Sequence, residues 1–164
     1  MPRSKAAEED RTPQARLAEA ALHGVVGYQL AQATIVTTLV FNETVGAAPG
    51  LRPVEYTLLA LAQANPGVTA RQLARSLAMT PPNITVWLDK LEARGLVQRT
   101  RSQVDARMQH IATTTAGARL AREATQRLLA AEAEALASLS AAERAMLVQL
   151  LHKVALARRR PAGG

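Results

Sequence analysis

Between Val68 and Thr114 the chain is punctuated at intervals that few folds can satisfy. Thr69 precedes a short helical run, ARQLARSLA, and Met79 and Thr80 precede a second run that opens on Pro81 and stops at Gly95. A threonine before a helix can accept a first-turn N–H, proline fits the first helical position, and glycine ends a helix by taking a left-handed conformation. The next residues, LVQRTRSQVDARMQHIATT, read as two strands, Leu96–Arg101 and Met108–Thr113, joined by a polar tip. Two helices, a tight turn and a hairpin make a helix-turn-helix with a β wing.

The second helix carries the chemistry. Ile84, Trp87, Leu88 and Leu91 fall at i, i+3, i+4 and i+7 and form its buried face, which favours a packing role for Trp87. The opposite face presents Pro82, Asn83, Thr85, Val86 and Lys90. It is small and neutral at its N-terminal half and basic further on. Such a face can enter a major groove, where Asn and Thr hydrogen-bond base edges. The free N–H groups at the helix start are expected to attract a phosphate. Arg99, Arg101 and Arg107 are expected around the hairpin tip, suited to a narrow minor groove, with Asp105 aiming one of them. Thr69, Arg71 and Thr80, at the starts of the two helices, complete the candidate DNA-contacting set.

Helices flank this centre. One long helix is expected from about Gln14 to Asn42, with two apolar stripes, Leu17, Ala21, Val25, Tyr28, Ile35, Leu39 and Leu22, Val26, Leu30, Ala33, Val40. Two stripes mean cover on two sides. Gly46, Pro49 and Gly50 make a loop, and Pro53 opens the helix VEYTLLALAQA, which Asn65, Pro66 and Gly67 end. Thr114 or Thr115 starts a helix running to about Ser138. Ser140, with Glu143 as a capping box, starts the last one. The expected organisation is a flexible tail at 1–13, an N-terminal dimerisation helix and loop at 14–50, a DNA-binding lobe at 51–114, C-terminal dimerisation helices at 115–158 and a flexible tail at 159–164. The fold class is mainly α with a small β wing: a winged helix-turn-helix flanked by N- and C-terminal dimerisation helices.

Charge placement supports a polyanion partner. Residues 71–110 hold seven basic and three acidic side chains, and residues 151–164 add four basic ones, within a formal net charge of +7. The absence of cysteine excludes a disulfide frame and a thiolate metal site, and His23, His110 and His152 lack metal-ligand spacing. No acid–base carboxylate pair, nucleophile motif or phosphate-binding glycine loop is present, so neither an enzyme nor a cofactor is expected. No apolar run reaches the ~18 residues of a membrane span, and the charged N-terminus is not a signal peptide, so a cytoplasmic protein is expected.

The run VTARQLARSLAMTPPNITVWLDKLEARGLVQRTRSQVDARMQHIATTTAG resembles the winged helix of the multiple antibiotic resistance regulator (MarR) family. The matching pieces are LEARGLV, the Asp105-x-Arg107 wing signature and the Thr-x-x-Gly after the second strand. With its flanking helices the resemblance covers about residues 14–157. It implies a homodimer formed by the terminal helices and a small-molecule pocket between that layer and the DNA-binding lobe. It places Asn83, Thr85 and Val86 on the recognition surface and Arg107 at the wing. Two departures stand out. Val86 occupies a position often held by Arg, and the wing reads Asp-Ala-Arg rather than Asp-Arg-Arg.

The first helix mixes apolar side chains with Gln29, Gln32, Thr34, Thr37, Thr38 and Asn42, a mixture that fits a pocket lined by apolar groups with a few convergent polar ones. Candidate ligand residues are His23, Tyr28 and Tyr56 to orient a ring, Gln32, and Arg52 to pair with a carboxylate. The stretch GYQLAQATIVTTLVFNETVG with LRPVEYTLL resembles regulators of aromatic-acid catabolism. The expected function is a DNA-binding repressor of a pseudo-palindromic operator, released by a small organic effector such as an aromatic carboxylate or thioester. The alternative is an effector-free winged-helix module for architecture or protein interaction.

Overall fold

The structure, a computed structural model, describes residues 11–101 and 109–158. The expected hairpin tip, with Asp105 and Arg107, and the tails at 1–10 and 159–164 lie outside the described residues.

The N-terminal helix is not continuous. Thr12 and Leu17 close a turn through two hydrogen bonds of 2.9 Å. Helix α1 spans Ala20–His23, Val25 then takes an extended conformation, and α2 spans Val26–Phe41. Gly24 and the β-branched pair Val25–Val26 interrupt a run that apolar periodicity alone carries through. The break lets Tyr28 on α2 reach back to Glu19 before α1. Helix α2 continues past its expected end into a π turn, Asn42–Gly46, which buries Val45.

The centre follows its punctuation closely. Helix α3 is Pro53–Ala64 and α4 is Ala70–Leu77, started by a reciprocal cap between Thr69 and Gln72. Helix α5 is Pro81–Ala93, ended at Gly95 with a φ of 65°. Three strands form one antiparallel sheet, β1 Val68–Thr69, β2 Val97–Arg101 and β3 Gln109–Thr113, in the order β1-β3-β2. Strand β1 is an addition to the expected hairpin. At two residues it is too short to show alternation, and pairing with Ile111 and His110 defines it.

Helix α6, Thr115–Ala135, is capped by Thr114, whose hydroxyl also donates to Gly95 O at 2.7 Å. Helix α7, Ala141–Leu156, starts with the expected Ser140–Glu143 box. The core lies under α5 and the sheet. Leu58, Leu59, Leu73, Ile84, Leu88, Leu91, Val97 and Ile111 are all buried, and each large side chain contributes roughly 1.5–3 kcal/mol. This core fixes the orientation of α5 and leaves α7 outside it, for α7 buries none of its residues.

Candidate nucleic-acid interface

Ile84, Leu88 and Leu91 anchor α5 and turn the residues between them outward. Thr80, Pro82, Asn83, Thr85, Val86 and Lys90 are all exposed. The Asn83 amide has no partner among the described residues, so its donor and acceptor are available together. The Thr85 hydroxyl donates to Pro81 O at 3.1 Å, which leaves its lone pairs and methyl group to offer. Thr80 occupies the N-cap position, yet its side chain makes no capping bond, contrary to expectation. Pro82 removes the N–H at the second helical position, and the N–H of Asn83 at the third makes no bond to the Thr80 side chain. The two prolines also leave this helix start only one N–H among its first three residues to offer a phosphate.

The cations are divided between the outer surface and internal duties. Lys90 Nζ lies 4.3 Å from the ring centroid of half-buried Trp87, and Arg52, from the start of α3, approaches the same ring at 5.7 Å. Both are cation–π contacts. Arg71 and Arg101 are exposed, whereas the Thr69 hydroxyl is taken up by its cap with Gln72 at 2.8 Å. Arg99 is mid-strand rather than at the hairpin tip. Its guanidinium pairs with Asp89 at 2.5 Å and Glu92 at 3.1 Å, leaving its side chain 20% exposed. It thereby fastens β2 to α5 and offsets part of the charge of the two carboxylates that α5 carries. Arg107 lies outside the described residues.

Sequence reasoning missed Arg94. At the end of α5 it donates to Pro49 O at 3.1 Å and Gly50 O at 3.4 Å, and it lies 3.9 Å from the buried carboxylate of Glu55. Arg127 on α6 donates to Ala48 O in the same loop at 3.0 Å. The one available signal was Glu55, a lone acid in the otherwise apolar start of α3.

Of the five candidate ligand residues, Tyr28 and Gln32 lie together and the other three make separate contacts. Tyr28 donates to Glu19 at 2.5 Å, and that bond holds its phenol above its ordinary pKa, with Gln32 pulling the other way. His23 is exposed, and its carbonyl accepts from Gln29 at 2.9 Å. Tyr56 packs near Phe41 and pairs at 2.9 Å with Thr125, whose hydroxyl also donates to Ala121 O. Arg52 alone of the five lines an open cleft of about 340 Å³ between the end of α2 and the start of α3, with Asn42, Gly46, Ala47, Gly50, Leu51 and Pro53.

The model of the MarR family matches residues 51–108. An HTH-type transcriptional repressor of Mycobacterium tuberculosis is 32% identical over 105 residues, covering 64% of this chain and 76% of the relative. Among solved structures, the transcriptional repressor CouR bound to a 23-mer DNA duplex is 30% identical with a TM-score of 0.77, covering 85% of this chain and 99% of that one. CouR from Rhodococcus jostii RHA1 bound to p-coumaroyl-CoA is 28% identical with a TM-score of 0.72, covering 85% and 97%. The chain belongs to the MarR family. It is therefore a transcriptional regulator and not an enzyme.

The MarR signature pieces acquire physical reasons here. In the Thr-x-x-Gly element, Thr114 accepts from Gly117 N at 3.0 Å, and a Cβ on Gly117 would lie 1.9 Å from Leu96 O. Only glycine lets α6 pass this close to the start of β2. In LEARGLV, Leu91 is buried, Arg94 holds the loop, and Gly95 supplies the left-handed turn into β2. No helix among the described residues is long and apolar enough to cross a membrane.

Proposed function

We propose that this MarR-family chain is a homodimeric repressor that reads duplex DNA with α5 and its wing, and that an organic anion releases it. The observation that carries DNA binding is the outward face of α5. It offers an amide at Asn83 with no partner among the described residues, methyl groups at Thr85 and Val86 and a cation at Lys90, while Arg99 pairs with Asp89 and Glu92. Such a face suits base edges flanked by phosphate. The solved CouR–DNA complex supports the same reading. On this account residues 51–114 are the DNA-binding lobe.

The terminal helices supply the dimer. Met146, Leu147, Leu150, Leu151 and Val154 recur at helical spacing on α7 and all stay exposed, as do Val26, Ile35 and Leu39 on α2. A set of apolar side chains this large favours burial against a second copy. Residues 14–50 and 115–158 are thus the dimerisation segments, and a two-fold dimer matches a pseudo-palindromic operator with half-sites roughly 10 bp apart or a multiple of that.

For the effector, the CouR complex with p-coumaroyl-CoA favours an aromatic carboxylate or its thioester. The Arg52 cleft offers a cation for the anionic group, and Arg52 also touches the recognition helix through Trp87. The effector-free reading draws on a different observation: the hydroxyls of Tyr28 and Tyr56 are already engaged by Glu19 and Thr125. Titrating salicylate, p-coumarate and p-coumaroyl-CoA into the protein bound to a duplex enriched from a random pool tests the whole reading. Release by any of them supports an effector. Tight binding unaffected by all of them favours the effector-free module, and no enriched duplex removes the DNA-binding reading itself.

A further inference from the structure

Val86 is out of place by the rule that governs the rest of the central lobe. Among the described residues, every other exposed large apolar side chain lies at or before Leu39 or at or after Leu129. Among the described residues between those points, the core takes in every large apolar side chain except Val86, which is 52% exposed. A single surface valine is ordinary in itself. This one occupies the middle of the outward face of α5, with Pro82 and Asn83 one turn before it and Lys90 one turn after, all exposed.

The chemistry around Val86 narrows what it can meet. The neighbouring Thr85 donates its hydroxyl proton to Pro81 O, which leaves a methyl group and lone pairs to present. Asn83 has both amide functions free of the described residues, the arrangement that reads adenine through N6 and N7. On the major-groove edge of DNA the only apolar group is the C5-methyl of thymine. An isopropyl group beside a second methyl has no other complementary feature there, and it gains nothing from guanine or cytosine edges.

We infer that Val86, assisted by the methyl group of Thr85, is a specificity-determining residue that reads the C5-methyl of a thymine in each half-site. The inference rests on the DNA-binding reading above and adds the base that this position selects. Selection is by burial of the methyl group rather than by hydrogen bonding. A neighbouring adenine, read by Asn83, makes the core of each half-site rich in A·T pairs.

The test uses the full chain and a duplex enriched from a random pool, resynthesised with deoxyuridine in place of each thymine in turn. That change removes the C5-methyl and leaves pairing intact. The wild-type protein is expected to lose about fourfold in affinity at one thymine per half-site, the worth of one methyl-sized group. Val86→Ala is expected to lose most of that sensitivity at the same position, with an unchanged melting temperature showing that it folds. Tight wild-type binding with no deoxyuridine-sensitive position overturns the inference and leaves DNA binding standing. Equal sensitivity in wild type and Val86→Ala overturns the assignment to Val86. Failure to enrich any duplex removes both this inference and the reading beneath it.

Discussion

The guanidinium of Arg99 in β2 holds Asp89 and Glu92 of the recognition helix at 2.5 and 3.1 Å. The main-chain N–H of Arg99 also donates to Glu92 at 3.3 Å, so strand and helix are tied by both backbone and side chain. Truncating Arg99 leaves two carboxylates uncompensated on the face offered to phosphate. Arg99→Ala is expected to lower stability by about 1–2 kcal/mol, discounted for the exposure of both acids, and to weaken DNA binding beyond that. Urea denaturation with anisotropy on the same variant measures both effects. Unchanged DNA affinity would show that pairing Asp89 and Glu92 with Arg99 is irrelevant to binding.

Gly117 and Gly24 form a matched pair. A Cβ on Gly117 meets Leu96 O at 1.9 Å, while one on Gly24 meets nothing within 4 Å. Gly117→Ala is expected to cost roughly 2–4 kcal/mol, because backbone must move to admit the methyl. Gly24 has an ordinary helical φ of −81°, so Gly24→Ala is expected to be neutral or to stabilise by up to about 1 kcal/mol. Equilibrium urea melts of the two variants check the contrast. Equal effects would mean that α6 does not pass against Leu96 as described.

How far the sequence alone reached follows from the range of each interaction. Caps such as Thr69 with Gln72 and Ser140 with Glu143 span three residues, so they were legible. The buried face Ile84, Leu88 and Leu91 was legible through its period. Arg99 lay beyond that reach, since its partner Asp89 is ten residues away across a turn, and Arg94 meets Gly50 across 44 residues. The break at Gly24–Val25 was hidden because apolar periodicity continued through it. The missing cap at Thr80 was not legible, since Asn83 keeps an N–H at the third helical position, where Thr69, Thr114 and Ser140 find their partners. The candidate ligand residues were grouped by residue type, and apart from Tyr28 with Gln32 the fold distributes them over separate contacts.

Trp87 is the chain's only tryptophan and carries Arg52 and Lys90 on its ring. An anion that pairs with Arg52 competes with this contact, so binding in the cleft is expected to shift Trp87 emission. Titration with salicylate or p-coumaroyl-CoA should give a saturable change that Arg52→Gln removes. A saturable change of equal size and midpoint in Arg52→Gln would place the ligand elsewhere.

The exposed apolar face of α7 sets a test of assembly. Leu147→Glu with Leu151→Glu places two charges among Met146, Leu150 and Val154. Sedimentation velocity is expected to show a dimer for the wild type and a monomer or unstable chain for the variant. A stable dimer in the double variant would move the interface off α7.

The central claim is that the outward face of α5 reads duplex DNA, and one titration addresses it most directly. Anisotropy on the enriched duplex and on a scrambled one would be followed from about 50 to 200 mM salt, for the wild type and Asn83→Ala. The wild type is expected to prefer the enriched duplex, with log affinity falling linearly against log salt at about −0.9 per neutralised phosphate. Asn83→Ala should keep that slope and lose roughly 1–3 kcal/mol of discrimination. A flat salt response, or an enriched-to-scrambled ratio untouched by Asn83→Ala, would contradict the account.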